Sequence, residues 1–248
     1  MQIILEKGAL RARLAQDAGD VAAAQRLRGQ AFLAERGDAD RCDADAFDAR
    51  CTHVLIEERE SGTLVGCFRL LFLTRGAEIG GSYSAQFYDL SGLAAYGGPM
   101  AELGRFCAAP GRGDPDIVRL AWGALTRLIE TRGAGMLFGC TSFRGADPTL
   151  YADAFGLLLA RHLGPASWRP EPKAREVVPF TSIAPERPDL KRAARATPAL
   201  LRAYLAMGGW VGDHAVIDRS LDTVHVFTAL EVAAIPEGRM RLLRASAS

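Results

Sequence analysis

The sequence predicts a mixed α/β fold whose central sheet is twisted, mostly antiparallel and covered by helices on both faces. Three patterns lead to this prediction. Two β-rich runs, residues 53–58 and 63–73, are separated by a short Ser-Gly turn, which is a hairpin distance. A strand, a turn, a helix and a second buried strand follow between residues 100 and 143. A helix at 195–209 and a returning strand at 223–232 complete the pattern.

Hydrophobic periodicity predicts the remaining elements. Residues 21–37 place apolar side chains at helical spacing and end at a glycine, which indicates an amphipathic helix. Residues 84–96 lie between two glycine-rich breaks and allow either a short helix or two turns. Residues 147–164 have a helical pattern, and the proline-rich stretch after them contains one strand-like run at 175–183.

Composition restricts the class of protein. Of the 248 residues, 49% are hydrophobic and 24% are charged, which is typical of globular proteins and excludes a disordered chain. The formal net charge is +1, so no global field favours binding to nucleic acid. We expect one domain over 1–248, with the core motifs in 20–185 and the late helix and returning strand in 186–248.

The five cysteines are scattered, without a C-x-x-C pair or a histidine at zinc-ligand spacing. We therefore expect reduced thiols and no metal site. The longest uncharged stretches, residues 90–101 and 133–143, are far shorter than the ~20 apolar residues that cross a bilayer. The first residues do not have the pattern of a secretion signal either. These observations predict a cytoplasmic protein whose contact with a membrane is at most peripheral.

Charged residues interrupt two strand-like runs that are otherwise apolar. Arg69 lies in CFRLLFL, whereas Glu102 and Arg105 lie in MAELGRFCA. In a regular strand Glu102 and Arg105 point to opposite faces, and a bulge at Gly104 would change that alternation. A buried charge is costly unless it is paired. These residues therefore lie at an exposed edge, form a structural ion pair or line a site.

An acidic loop, DADRCDADAFDARC, precedes the first of these strands. It contains Asp43, Asp45 and Asp48. A solvated loop is the ordinary interpretation of such a run, because aspartate is usually exposed. The alternative is that these carboxylates contribute to the same site as the charged strand residues.

Several ordered motifs resemble two related enzyme families. RLRGQAF, Asp45-Ala46-Phe47-Asp48, F-R-L-L at 68–71 and E-L-G-R at 102–105 resemble the successive motifs of acyl-homoserine-lactone synthases. GGSYSAQFYDLSGL, MLFGCTSFRGADP and LLRAYLAMGGWVGDHAVID more closely resemble the ornithine N-acyltransferases that make lyso-ornithine lipid. This second resemblance extends from about Arg26 to Val232, which is nearly the whole chain.

The resemblance implies an acetyltransferase-like (GNAT) fold, a 3-hydroxyacyl chain on acyl carrier protein as donor and the α-amine of ornithine as acceptor. No cofactor is expected beyond the phosphopantetheine of the carrier. An amine attacks a thioester only when deprotonated, so Glu102, directly or through water, is the candidate base. Its alternative role is an ion pair with Arg69 or Arg105. The candidates for binding the acceptor are Arg28, Arg69 and Arg105 for its carboxylate, Asp45 and Asp48 for its side-chain cation, and Phe32.

Phe106 and Cys107, which follow Gly104 in the same strand, are candidates for contacting the acyl donor. Backbone N–H groups near Phe106 and Cys107 could stabilise the negative charge that develops on the thioester oxygen. We expect the Cys107 thiol to be a core group, because no adjacent histidine activates it and direct transfer needs no acyl-enzyme.

The turn after this strand departs from the acetyltransferase pattern. In acetyltransferases, N–H groups before the following helix cradle the pyrophosphate of coenzyme A. Here Arg112-Gly113 is followed by Asp114-Pro115, which places a carboxylate and an imide without N–H at that position. The departure favours a carrier-protein phosphopantetheine, with Arg112 and Gly113 as its candidate binding residues. The basic side chains that could meet an acidic carrier protein are Arg112, Arg119 and Arg127, for which a solvated helix face is the alternative.

Three alternatives remain open at this point. An acyl-homoserine-lactone synthase would use S-adenosylmethionine, but Gly104 replaces the serine of its motif and the C-terminal extension is long. The acceptor could also be lysine or glutamine. A non-catalytic module that binds acylated carrier protein would have no need of a base such as Glu102.

A single-chain acyl amino acid is poorly soluble, so its synthesis predicts contact with the inner face of the cytoplasmic membrane. Two groups of basic residues could provide this contact. Each basic residue near an anionic surface contributes about 1 kcal/mol of binding free energy at most. A solvated helix face and a frayed terminus are the alternatives. The groups are Arg187, Lys191, Arg192 and Arg195, and Arg239, Arg241 and Arg244 with Met240, Leu242 and Leu243.

Overall fold

The computed structural model describes residues 2–33, 41–112 and 114–246. They form two compact units, each of which combines helices with strands that are mostly antiparallel. The predicted mixed α/β class is confirmed, while the expected single domain stays a prediction. Unit 1 comprises Met1–Phe72, Leu103–Ala134 and Glu237–Ser248, and unit 2 comprises Leu73–Glu102 and Gly135–Pro236.

The strands are β1 (Ile3–Lys7), β2 (Leu10–Leu14), β3 (Thr52–Glu58), β4 (Leu64–Leu73), β5 (Tyr88–Asp89), β6 (Met100–Ala108), β7 (Met136–Arg144), β8 (Glu171–Pro172), β9 (Val177–Pro179), β10 (Trp210–Asp218) and β11 (Thr223–Glu231). The helices are α1 (Ala18–Leu33), α2 (Pro115–Arg132), α3 (Ala152–Arg161), α4 (Phe180–Ile183), α5 (Leu190–Ala196), α6 (Ala199–Ala206) and α7 (Glu237–Ser246).

In unit 1, strands β1 to β4 pair in chain order and are antiparallel. The last six residues of β6 lie beside β4, and the Ala109 N–H continues this edge by donating to the Val65 carbonyl at 2.9 Å. Helix α1 buries Ala24 and Leu27 against Leu55 of β3. Burial of apolar area of this kind contributes roughly 25 cal/mol per Å² to stability, so α1 is fixed by the strands it covers.

Helix α2 has a stop and a start that its sequence explains. The Asp114 side chain accepts a hydrogen bond from the Asp116 N–H at 2.8 Å, and Pro115 occupies the first turn, where no N–H partner is needed. Gly133 ends the helix with a φ of 61°, a conformation that glycine adopts without strain. These caps fix the position of the turn that precedes the helix.

In unit 2 the strand order is β6-β7-β11-β10-β9. Only the first three residues of β6 belong to this unit, and they run parallel to Met136–Phe138 of β7, with Glu102 opposite Phe138. The other pairs of this sheet are antiparallel. Phe155 of α3 and Leu201 of α6 pack with Val226 of β11 in its core. Strands β5 and β8 form a separate antiparallel pair.

Several elements differ from the expectations. The hairpin β1–β2 and strand β10 were not predicted. Strand β10 contains Gly, Asp and His, which break the alternation of apolar residues. Its register with β11 also shifts between Val211 and Ala215. The run at 175–183 is a strand only to Pro179 and continues as α4, with Phe180 buried. Helix α1 starts at Ala18, and Gly37 lies outside the described residues.

Within the described ranges, every helix is too short or too polar to cross a bilayer.

Candidate active site

The carboxylate of Glu102 is buried in unit 2 and accepts hydrogen bonds from Tyr83 and Ser84. The backbone N–H of Tyr83 donates to Oε2 at 2.8 Å. The backbone N–H of Ser84 and its hydroxyl donate to Oε1 at 2.7 and 2.6 Å. Hydrogen bonds to an ionised acceptor are short and strong, so these donors stabilise the charged carboxylate in a place where burial alone disfavours it.

The loop that supplies these donors is shaped by close backbone contacts. It consists of tight helical turns at Gly76–Gly81 and Ser84–Gln86. The Ser82 hydroxyl accepts a hydrogen bond from the Ala85 N–H at 3.2 Å and thereby caps the second turn. A Cβ at Gly76 would lie 2.2 Å from the Leu93 carbonyl oxygen, so only glycine permits this approach. The N–H groups of Tyr83 and Ser84 therefore point to Glu102 through local geometry.

Two further side chains of unit 2 belong to the surroundings of Glu102. The Cys140 thiol donates to the Ser84 hydroxyl oxygen, with 3.4 Å between Sγ and Oγ. Tyr204 of α6 is buried. Burial, and to a smaller extent the charge of Glu102, raises the pKa of Tyr204. The sequence analysis missed Ser84, Cys140 and Tyr204, because a loop serine, a strand cysteine and a helical aromatic residue are indistinguishable from ordinary core residues.

In unit 1, Arg28 of α1 is buried with two carboxylates of the acidic loop. Its Nε lies 2.8 Å from Asp43 Oδ2, and its Nη1 lies 2.8 Å from Asp48 Oδ1. Burial opposes the ionisation of Asp48, but hydrogen bonds from Arg28 and Gln25 hold the pKa of this carboxyl well below its usual range. The loop is thus packed against α1, and the interpretation of Asp43 and Asp48 as solvated residues is wrong.

Arg69 and Arg105 bind the same loop. Arg69 contacts Asp45 at 2.6 Å and Asp48 at 2.5 Å through Nη1. Arg105 contacts Asp43 at 2.8 Å through Nε and Asp45 at 3.1 Å through Nη2. Arg105 has a φ of 54°, which is uncommon for a residue with a side chain. This positive φ interrupts the regular strand conformation directly after Gly104, where the sequence allowed a bulge.

The six side chains form a closed ring in which positive and negative groups alternate. Each aspartate bridges two arginines, and each arginine bridges two aspartates. The formal charges cancel, which is the condition under which buried charges are tolerated. The structure brings together the five acceptor-binding candidates Arg28, Asp45, Asp48, Arg69 and Arg105, and it adds Asp43, which the sequence analysis named only as a residue of the acidic loop. In order, the ring is Arg28, Asp43, Arg105, Asp45, Arg69 and Asp48.

The other candidates of unit 1 have structural contacts. Phe32 packs against the core cluster that contains Cys67 and Cys107. The two sulfurs lie 3.6 Å apart, and the hydrogen bond with Cys67, together with burial, raises the pKa of the Cys107 thiol well above its ordinary value. The thiol is therefore unreactive as a nucleophile, in agreement with the expected core role. Phe106 stacks on Phe68 with 6.1 Å between the ring centroids.

The turn before α2 is only partly described. Arg112 is half-exposed and forms an ion pair with Glu58 at 2.7 Å. Gly113, a predicted phosphopantetheine-binding residue, lies outside the described residues. The Asp114 carboxylate occupies the N-terminus of α2, where it accepts the Asp116 N–H. Arg119 is exposed and pairs with Asp116 at 2.7 Å, and Arg127 donates to the Ile4 carbonyl.

Comparison with known proteins gives consistent similarities. Residues 27–123 match the acetyltransferase (GNAT) domain family. The chain is 36% identical to the L-ornithine N(alpha)-acyltransferase of Rhodobacter capsulatus over 237 residues, which cover 91% of each chain. It is 31% identical to the L-ornithine N(alpha)-acyltransferase of Brucella abortus, over 92% of this chain and 86% of the relative.

Among solved structures, the N-acyl amino acid synthase FeeM from uncultured soil microbes superimposes with a TM-score of 0.52. The sequences are 13% identical, and the match covers 90% of this chain and 91% of that one. At this identity the similarity concerns the fold alone, and it agrees with the acetyltransferase-like fold implied by the sequence motifs.

Proposed function

Since the chain belongs to the family of L-ornithine N(alpha)-acyltransferases, we propose that it moves a 3-hydroxyacyl chain from acyl carrier protein to the α-amine of ornithine. The product would be lyso-ornithine lipid. The observation that carries the proposal is the 36% identity to the Rhodobacter capsulatus enzyme over 91% of each chain. The buried, hydrogen-bonded carboxylate of Glu102 supports it, because amine acylation requires a proton acceptor.

In the proposed reaction the neutral α-amine attacks the thioester carbon. A C–N bond forms, the C–S bond breaks and the carrier thiolate leaves. Glu102, directly or through one water, takes the proton that the attacking nitrogen loses. No covalent enzyme intermediate is required, and the buried Cys107 thiol with its raised pKa gives no reason to invoke one.

The acceptor is an amino acid with a carboxylate and a second cation, and the alternating ring of unit 1 offers groups for both. A guanidinium binds a carboxylate bidentately, and an aspartate neutralises an ammonium. Arg105 and Asp45 are the most exposed members of the ring, with side-chain exposures of 11% and 23%. We assign acceptor binding first to these two residues. Their partners, which are buried more deeply, hold the ring in place and are Arg28, Asp43, Asp48 and Arg69.

The donor is proposed to be carrier-bound rather than free coenzyme A. At the N-terminus of α2, the Asp114 carboxylate already accepts an N–H and carries a negative charge, while Pro115 offers no N–H. A pyrophosphate there would meet like charge and would lack one donor. The single phosphate of phosphopantetheine places less charge at this turn. Arg112 and Arg119 are exposed, and an acidic carrier protein would compete with Glu58 and Asp116 for them.

We also propose a cytoplasmic location with peripheral attachment to the inner membrane. Among the basic side chains of α5, Arg192 pairs with Asp153, and Lys191 and Arg195 are exposed beside Leu190, which is 50% exposed. In α7, Arg241 and Arg244 are both paired with glutamates. The α5 group therefore has more basic charge available to an anionic surface, and we favour it as the attachment site.

Lipid analysis of a bacterial host that lacks ornithine lipid tests the proposed function. Expression of the wild-type chain should produce a lipid with one 3-hydroxyacyl group on the α-nitrogen of ornithine, and the Glu102→Gln variant at equal abundance should not. Equal lipid profiles with and without the chain would contradict the proposal.

A further inference from the structure

Ser84 supplies two hydrogen-bond donors to the Glu102 carboxylate. Its backbone N–H and its hydroxyl both donate to Oε1, at 2.7 and 2.6 Å. Ser84 is completely buried and lies at the start of a tight turn. We propose that the Ser84 hydroxyl is a positioning group that holds this carboxylate in the orientation needed for proton transfer, an inference that rests on the proposed role of Glu102 as base.

The hydrogen-bond directions support this assignment. A hydroxyl has one proton to donate and lone pairs that accept. The Cys140 thiol donates to Ser84 Oγ at 3.4 Å, so it contacts a lone pair of that oxygen. The hydroxyl proton is then directed at Glu102 Oε1, which it reaches at 2.6 Å. The order thiol, hydroxyl, carboxylate thus leaves the Ser84 hydroxyl proton for Glu102.

Two hydrogen bonds that close this turn do not use the Ser84 hydroxyl. The Phe87 N–H donates to the Ser84 carbonyl at 3.0 Å, and the Ser82 hydroxyl caps the same turn by accepting the Ala85 N–H. Both contacts, and the two backbone donors to Glu102, remain when Ser84 is replaced by alanine. What that variant loses is the side-chain bonds to Glu102 and Cys140.

Ser82 provides a matched control for the test. It is buried like Ser84 and lies two residues earlier in the same loop, but its hydroxyl bonds the loop backbone. Ser82→Ala removes the cap of the turn, so it should lower the melting temperature, and its loss of kcat should be much smaller than that of Ser84→Ala because the Ser84 hydroxyl and the backbone donors still reach Glu102. A hydrogen bond to a charged group contributes more free energy than a hydrogen bond between neutral groups. Ser84→Ala should therefore lower kcat roughly 10- to 100-fold, while KM for ornithine should stay within about twofold of the wild-type value.

A double-mutant cycle decides whether Ser84 acts through Glu102. The variants are Ser84→Ala, Glu102→Gln and both together, assayed with 3-hydroxyacyl carrier protein and ornithine. If the proposal holds, Ser84→Ala costs little further activity in the Glu102→Gln background, because the group that it positions is already gone. An equal loss in both backgrounds, or an unchanged kcat for Ser84→Ala alone, overturns the proposal for Ser84.

The double-mutant cycle also distinguishes a failure of this inference from a failure of the proposed function on which it rests. Wild-type activity in Glu102→Gln would overturn the role of Glu102 as base, and the role of Ser84 with it. Loss of activity in Glu102→Gln combined with full activity in Ser84→Ala would overturn only the positioning role.

Discussion

Arg105 Nη2 lies 3.1 Å from Asp45 Oδ2, in the most exposed ion pair of a ring of three arginines and three aspartates. The opposite part of the ring, where Arg28 meets Asp48, is almost fully buried. The ring therefore has one edge that solvent reaches and one that it does not. Substitutions at the two edges should have different consequences.

Asp48→Asn should destabilise the protein strongly. It removes one carboxylate charge from two buried guanidiniums, those of Arg28 and Arg69. Breaking a buried ion pair on one side typically costs about 3–5 kcal/mol, which urea unfolding followed by circular dichroism would measure. Asp116→Asn is the control, because its pair with Arg119 is exposed and should be worth at most about 1 kcal/mol. Equal stabilities of the two variants would contradict the structural role of the buried edge.

Asp45→Asn should act mainly on the acceptor. Because Asp45 lies at the exposed edge of the ring, we expect a smaller loss of stability than for Asp48→Asn and a roughly 10- to 100-fold increase in KM for ornithine, the range for a lost bond to a charged group. The assay compares kcat and KM under saturating acyl donor. An unchanged KM would remove Asp45 from the proposed acceptor site.

Stability should fall in acid because of the same carboxylates. Burial opposes ionisation of Asp45, but the bond from Arg69 lowers its pKa overall. A carboxyl whose pKa is lower in the folded state stabilises the protein fully above its unfolded-state pKa of about 4. This stabilisation is lost as the pH falls through the folded-state pKa. The difference in unfolding free energy between wild type and Asp45→Asn should shrink as pH is lowered from 6 to below 4. A constant difference over that interval would show that ionisation of Asp45 does not contribute.

Acyl transfer should prefer carrier protein to coenzyme A. The same 3-hydroxyacyl group offered on both should give roughly tenfold higher kcat/KM on carrier protein, because the charge of Asp114 at the start of α2 repels a pyrophosphate. Asp114→Asn keeps a capping side chain and removes the charge. It should raise kcat/KM for the coenzyme A thioester severalfold and that for carrier protein by a smaller factor, because the single phosphate of the carrier meets less repulsion. Equal kcat/KM for both donors with the wild-type protein would contradict the inference that the turn before α2 disfavours coenzyme A.

Membrane attachment should be weak and sensitive to salt. Flotation with vesicles that contain anionic lipid should recover the protein at low salt and lose it at high salt, since each basic residue contributes only about 1 kcal/mol. Lys191→Glu with Arg195→Glu should abolish flotation, whereas Arg239→Glu with Arg241→Glu should reduce it less. Absence of binding at low salt would leave an enzyme that releases its product by diffusion.

Much of the fold follows from local sequence patterns, but the pairings do not. The helix α2 is predictable because Asp114, Pro115 and Gly133 mark its ends. The members of the ring are also recognisable, since Arg69 and Arg105 are charges in apolar strands. That Asp43 bridges Arg28 and Arg105 is not predictable, because it depends on how α1, the acidic loop and β6 pack together.

The surroundings of Glu102 were harder to anticipate. Glu102 itself is conspicuous in its strand, and the ion pair with an arginine was the natural alternative to a catalytic role. The structure shows that backbone and hydroxyl donors from the loop at Tyr83 and Ser84 reach its carboxylate. Backbone donors have no sequence signature, and a buried serine resembles any other turn residue. This contact could be found only from the structure.

The central claim is acylation of the α-nitrogen of ornithine from acyl carrier protein, and reconstitution with purified components tests it most directly. Purified protein, 3-hydroxyacyl carrier protein and ornithine should give a singly acylated product, and fragmentation in the mass spectrometer should place the acyl group on the α-nitrogen. Lysine and glutamine, offered at the same concentration, should be poorer acceptors. No product, an acyl group on the side-chain nitrogen, or preferential acylation of another amino acid would contradict the account.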